Sequence, residues 1–211
     1  MMYKICLLFV TLLIVSGCST SDLQNSIDDA INKDKEQIST IDKETDEQDG
    51  LDRHNEIRAK VYNGSALSWS DEIAKDAQSH ANTLANSGEF KHDPKNYNGY
   101  DNGPYGENLY ATTDNSNIAF RDAINNWYVE KKYYNYSDNS CSVNSSNPII
   151  EGLTQYNTCG HYTQIIWKDT QYVGCAKAKY KAGDLKGGYV IVCKYKSPGN
   201  VIQNGVPQRP Y

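Results

Sequence analysis

The sequence has no C-x-x-C pair, no internal repeat and no serine in a recognisable activating context. The first absence speaks against zinc held by cysteines, whose ligands usually come in such close pairs. The third places hydrolysis by a side-chain nucleophile last among the functions to consider. Residues 18–52 contain no aromatic residue and few large apolar ones. Such a stretch cannot bury enough surface to offset its ordering entropy. Residues 18–50 therefore read as a flexible, solvated acidic tether, with a helical tendency through Leu23, Ile27 and Ile31. The strongly apolar run Ile5 to Val15 is well short of the ~20 residues that a membrane-spanning helix needs.

That run has the length of a signal-peptide apolar core, behind a short start carrying Lys4. Val15-Ser16-Gly17-Cys18 resembles a bacterial lipobox. On that reading residues 1–17 are a signal peptide, and Cys18 becomes the acylated N-terminus. Two or three acyl chains would make the membrane a stable partner, where one chain binds only marginally. The alternative is an ordinary signal peptide, with Cys18 a spare thiol. Both readings export the chain: to the cell surface or an outer membrane as a lipoprotein, otherwise to the extracellular space. Of six cysteines, Cys6 would leave with the signal and Cys18 would carry lipid. Cys141, Cys159, Cys175 and Cys193 remain, and an even number in an exported chain reads as two disulfides.

Charge divides what is left. From Cys18 to Asp52 there are 11 acidic and 3 basic residues; from Arg53 to Tyr211 there are 15 and 17. Residues 51–211 have the size of one domain with one core. Their near-neutral balance argues against nucleic acid as a partner. The oligomeric state is left open.

Within that domain, a short helix is expected from Arg53 to Tyr62, ended by Asn63-Gly64. A second begins at Ser70, a good N-cap, repeats Ile73, Ala77, Ala81 and Leu84 on one face, and closes at Ser87-Gly88. Asp93 to Gly106 is turn-rich, and a third helix runs from about Asn117 to Lys131. Tyr133 to Thr158 is a long polar loop of the kind that is usually functional or mobile. Tyr162–Trp167, Tyr172–Tyr180 and Gly188–Tyr195 read as strands. Helices first and a mostly antiparallel sheet last define an α+β fold.

Four ordered segments carry a family resemblance. They are His54-Asn55-Glu56-Ile57-Arg58, Gly106-Glu107-Asn108-Leu109, the block Gly160-His161-Tyr162-Thr163-Gln164-Ile165-Ile166-Trp167, and Val190 to Val201 with Cys-x-Tyr and Pro-Gly-Asn. Together they resemble the CAP superfamily of cysteine-rich secretory, antigen-five and pathogenesis-related proteins. The likeness covers about Leu51 to Val201. Lys194 and Ser197 depart from the usual residues and are expected beyond the pocket. The resemblance implies a three-layer α-β-α sandwich and a pocket lined by His92, Glu107, Glu130 and His161.

Two imidazoles and two carboxylates suit Zn²⁺ or a similar divalent ion, and the same groups move protons near neutral pH. They also suit two His–Glu hydrogen bonds with a purely structural role. Tyr133, Tyr134 and Tyr136 follow Glu130 into the long loop. In some fungal relatives the corresponding segment binds sterol; here the rings either offer a face to a small lipid or pack on one another. His80 reads as a solvated or core-edge residue, and Trp69, Trp127 and Trp167 as core. The expected disulfides are Cys141–Cys159, which bracket the long loop, and Cys175–Cys193, on successive strands. The function expected is a binding module for a weakly held divalent ion, Zn²⁺ first, or a small lipid-like ligand. The alternatives are a protease-like hydrolase using the same four residues, and an envelope interaction protein with a structural tetrad.

Overall fold

The computed structural model describes residues 20–97, 105–142 and 159–211. The signal segment, Cys18 and residues 143–158 of the long loop lie outside the described residues. The chain divides into two compact units, up to Lys43 and from Glu44 onward.

Helix α1 spans Thr20–Tyr62, so the segment expected as a flexible tether is helical from Thr20. In the first unit the described side chains of residues 24–40 are all exposed. Local bonds such as Gln24 Nε2 to Asp28 Oδ1 at 3.0 Å support the helix there. In the second unit, contacts begin upstream of the expected boundary. Asp46 accepts from the Phe120 amide and from Lys177 Nζ, both at 2.8 Å, and Asp49 accepts from Arg121 Nε at 2.7 Å. Charge rather than apolar surface fastens this turn, which an apolar pattern does not register.

Helix α2 spans Asp71–Ser87. Ser70 caps it by accepting from the Ile73 amide, and Gly88 ends it in the left-handed region with φ 77°. Strand β1 is Ser68–Trp69 and β2 is Gly106–Thr112. The motif Gly106-Glu107-Asn108-Leu109 is thus the start of a strand. It is poor in strand-forming residues and is held by its ladder to a neighbour rather than by propensity. Helix α3 spans Phe120–Tyr128 and continues as a 3₁₀ turn, Val129–Lys132. Strands β3, Tyr134–Asn135, and β4, Ser140–Cys141, pair as a small ribbon.

Gly160–Ile165 is a helix, α4, which corrects the strand expected at Tyr162–Trp167. A short continuous apolar run does not distinguish a buried strand from a buried helix. Tertiary contacts decide here. Arg58 is fully buried and donates from Nη1 to the carbonyls of Ile165 and Trp167, at 2.9 and 2.8 Å. Its Nη2 reaches the Thr170 carbonyl at 3.3 Å, and its Nε the Ser65 carbonyl at 2.8 Å. A cation at a helix C-terminus satisfies the carbonyls that the helix leaves open.

Strands β5, Tyr172–Lys179, and β6, Tyr189–Lys196, complete the sheet as expected. Its order is β1-β5-β6-β2, antiparallel except for the β1–β5 pair. One face meets α2 through Ala77, Ala81, Leu84, Leu109, Ala176, Val190 and Val192. The other meets α1, α3 and α4 through Ile57, Ile124, Trp127, Ile165, Ile191 and Tyr195. The result is an α-β-α sandwich with alternate residues of each strand serving the two cores. Cys175 and Cys193 lie directly opposite on β5 and β6 and are bonded; Cys141 is bonded to Cys159. The last residues form a hairpin of β7, Ile202–Gln203, and β8, Val206–Pro207.

Candidate functional site

Glu107 and Asn108 are consecutive on β2, so their side chains leave the sheet on opposite faces. Glu107 turns toward the α2 side. Its Oε1 accepts from His92 Nδ1 at 2.8 Å and from the Asp93 amide at 2.9 Å. Its Oε2 accepts from Asn96 Nδ2 at 3.2 Å. The Glu107 side chain is 2% exposed and that of His92 is 34%. Just upstream, His80 donates from Nε2 to the Lys91 carbonyl at 3.0 Å and is itself buried. The residue expected at a core edge therefore pins the approach to His92.

The second pair repeats the arrangement. Glu130, on the 3₁₀ turn after α3, accepts through Oε1 from His161 Nδ1 at 2.6 Å and through Oε2 from the Tyr162 amide at 2.9 Å. In both pairs a buried carboxylate therefore takes the ring of one histidine and the backbone N–H of the next residue. The His161 ring also stacks on Trp127, with centroids 5.8 Å apart. Trp127 is fixed by its Nε1 bond to the Leu109 carbonyl at 3.0 Å.

The two pairs belong to neighbouring elements. Asn108 donates to the His161 carbonyl at 3.1 Å and to the Tyr195 hydroxyl at 3.1 Å. Tyr195 in turn donates to His54 Nε2 at 2.9 Å, while His54 Nδ1 donates to the Gly50 carbonyl at 2.9 Å. Burial pulls the His54 pKa down to about 4, so its ring is neutral and one nitrogen accepts. The rest of the signature block is structural. Thr163 Oγ1 donates to Asn200 Oδ1 at 2.6 Å, and Gln164 Oε1 accepts from the Gly199 amide at 2.8 Å. Gly106 leaves room beside it: a Cβ there would lie 2.0 Å from Gln164 Oε1, so a side chain would displace this amide from the Gly199 bond.

Lys194, expected beyond the pocket, borders it. It faces Glu107 across the β2–β6 ladder and is fully buried. Its Nζ meets Asp76 at 2.5 Å, Asp93 at 2.7 Å and Glu107 at 3.9 Å. Burial pulls the Lys194 pKa down, but the two aspartates more than offset this and hold it above its ordinary value. Burial raises the Asp93 carboxyl, and the Lys194 ammonium together with the Lys95 amide more than reverses that, leaving it below the usual range.

Among the described residues no group of three or more His, Cys, Asp or Glu side chains is arranged to hold a metal ion. The glutamates expected as ligands are turned onto the histidines, so a metal would meet the imidazoles alone. In the tyrosine segment, Tyr134 donates to Asn139 Oδ1 at 2.8 Å and packs edge-on against Tyr162. Burial pushes its hydroxyl up to about 12. Tyr136 stacks on Tyr211 with centroids 4.4 Å apart, and Tyr211 stacks on Tyr62 at 4.6 Å. Tyr133 enters through its backbone, donating to the Glu130 carbonyl at 2.9 Å and accepting from the Ser142 amide at 2.8 Å. Tyr134 and Tyr136 thus pack on other tyrosines.

The chain belongs to the cysteine-rich secretory protein (CAP) family, whose profile matches residues 51–195. It is 36% identical over 156 residues to pathogenesis-related protein 1C of Nicotiana tabacum, covering 74% of this chain and 77% of that one. The fold is shared with Schistosoma mansoni venom allergen-like protein 4, at a TM-score of 0.53 and 23% identity, over 79% of this chain and 93% of that one. It is also shared with NaASP2, whose crystal structure was determined with Zn²⁺, at a TM-score of 0.50 and 19% identity, over 77% and 84% of the two chains.

Proposed function

We propose that this chain is an exported CAP-domain binding module that takes a divalent ion, Zn²⁺ first, through His92 and His161. The observation that carries the reading is the paired hold on the two rings. Each Nδ1 is engaged by a buried carboxylate, at 2.8 Å for His92 and 2.6 Å for His161. Histidines that ligate metals usually donate their other ring N–H to such a carboxylate, which fixes the tautomer and aims Nε2 outward. Glu107 and Glu130 would then orient and strengthen the ligands rather than bind the ion. Two protein ligands leave the remaining positions to water or a further ligand, which suits weak binding and ligand capture more than a closed structural site. The crystallisation of NaASP2 with Zn²⁺ lends the reading support.

Calorimetry with Zn²⁺ tests it. Wild type should give saturable heat near neutral pH that His92→Ala and His161→Ala each abolish. The heat should shrink on acidification, because protons compete for imidazole nitrogen. Equal heats from all three proteins would leave the tetrad a structural polar cluster. That is the second reading, favoured by the full hydrogen-bond use of both glutamates.

Export is read from the apolar run before Cys18 and from the two disulfides, which persist in oxidising compartments. Attachment through an acylated Cys18 is the finer form of that proposal. Hydrolysis is not favoured, since the Thr163 hydroxyl beside the site is committed to Asn200.

A further inference from the structure

The two histidine pairs are built alike but are not supported alike. His161 and Tyr162 lie on α4, and Glu130 on the turn that follows α3. The Trp127 ring stacks against the imidazole there. His92 and Asp93 precede the 3₁₀ turn Pro94–Tyr97 and belong to no regular element. Glu107 of β2 takes their ring and amide, and the His80 bond to the Lys91 carbonyl steadies the approach, so this half depends on what keeps Glu107 and Asp93 together.

The geometry points to Lys194 as the positioning residue of the His92 half of the site, an internal cation that assembles this half with no metal bound. Three segments besides its own strand converge on its ammonium. It projects from β6, meets Asp93 of the His92 loop at 2.7 Å, meets Asp76 of α2 at 2.5 Å and lies 3.9 Å from Glu107 of β2. Across β6 its other neighbour is Gly174 on β5. A Cβ at Gly174 would come within 2.3 Å of the Ala74 backbone nitrogen, so this glycine lets the first turns of α2 settle on the sheet. That close approach brings Asp76 into reach.

Charge arithmetic says why a cation belongs here. Asp93 and Glu107 are 7% and 2% exposed at the side chain, and the Asp93 amide is bonded to the Glu107 carboxylate. Two carboxylates drawn that close in a poorly solvated place repel unless a counter-charge is supplied. Lys194 supplies it from within the chain, meeting Asp93 Oδ2 at 2.7 Å and lying 3.9 Å from Glu107 Oε2, while Glu107 Oε1 takes the His92 ring. Glu107 then remains free to hold His92 and orient its ring.

The inference rests on the reading of His92 as a ligand-bearing residue only for its consequence; its test needs no metal. Amide hydrogen exchange and histidine ring ¹⁵N spectra of the metal-free full chain would compare wild type with Lys194→Met. The Asp93 amide, bonded to Glu107, should exchange at least about tenfold faster in the variant, as local opening becomes cheaper than global unfolding. The Tyr162 amide, bonded to Glu130, should hold its rate. The His92 ring should lose its single Nδ1–H tautomer while His161 keeps its own. Lys194→Arg should restore much of the Asp93 protection, since a guanidinium keeps the charge between the two carboxylates. If Lys194→Met does not fold, Asp76→Asn carries the same comparison, because it removes one of the carboxylates that hold the ammonium. Unchanged exchange at Asp93, or equal acceleration at Asp93 and Tyr162, would overturn the assignment. A protein that shows the loop effect but gives no zinc heat keeps Lys194 in this role and removes the metal reading; the reverse result separates them the other way.

Discussion

Glu130 holds His161 at two points, the ring through Nδ1 at 2.6 Å and the backbone through the next amide at 2.9 Å. Glu107 does the same for His92, with 2.8 and 2.9 Å. A ring tied in this way has one orientation and one tautomer, which is what a ligand for a metal or a polar group requires. The surrounding network gives specific expectations.

Arg58 donates to four backbone carbonyls from a fully buried position. Arg58→Met should cost about 2–4 kcal/mol in urea unfolding, because several buried acceptors lose their donor at once. Arg58→Lys should recover little, since one ammonium cannot reproduce a planar fork. A Lys variant as stable as wild type would show that charge alone, and not the fork, caps α4.

His54 contributes a pH dependence of known sign. Its folded pKa of about 4 lies below the ordinary 6.5, so its contribution is present above pH 6.5 and is lost as pH falls toward 4. The lost contribution is about 3 kcal/mol, from roughly 1.4 kcal/mol for each tenfold change in proton affinity between the unfolded and folded chain. Denaturant melts at several pH values should show a flatter profile for His54→Asn than for wild type across that window. Parallel profiles would place the acid sensitivity elsewhere.

The Cys141–Cys159 bond closes a segment of sequence separation 18. Replacing both cysteines by serine should lower stability by ~3 kcal/mol in the chain-entropy view of a loop of this size. Chemical unfolding of the double variant checks it, and a loss well under 1 kcal/mol would mean that the unfolded chain is already constrained there.

Mass spectrometry of the mature protein should find Cys18 at the N-terminus carrying acyl chains, and Cys18→Ser should move the protein to the soluble fraction. An unmodified terminus at another residue would retain export and reject the anchor.

How far the sequence reveals this structure depends on the kind of signal each part leaves. The ends of α2 are legible because Ser70 and Gly88 act locally, and β5 and β6 because alternation records two cores. The resemblance names the four tetrad residues, but not which carboxylate turns to which ring, since spacing says nothing of that pairing. Helix α4 is hidden by an apolar run that fits either period, and its capping residue, Arg58, lies 107 positions from Ile165. Lys194 gives no local sign of its role. A lysine in a strand reads as a solvent-facing residue, and only the register opposite Glu107 and the approach of Asp76 make it a buried counter-ion.

The most direct measurement of the metal reading is a long-range ¹H–¹⁵N spectrum of the histidine rings during Zn²⁺ addition. The chain has four histidines, so every ring can be followed. The Nε2 signals of His92 and His161 should shift together and saturate, while those of His54 and His80, each bonded within the fold, stay in place. Zinc shifts confined to His80, spread over all four rings, or absent from His92 and His161 would contradict a metal held between the two pairs.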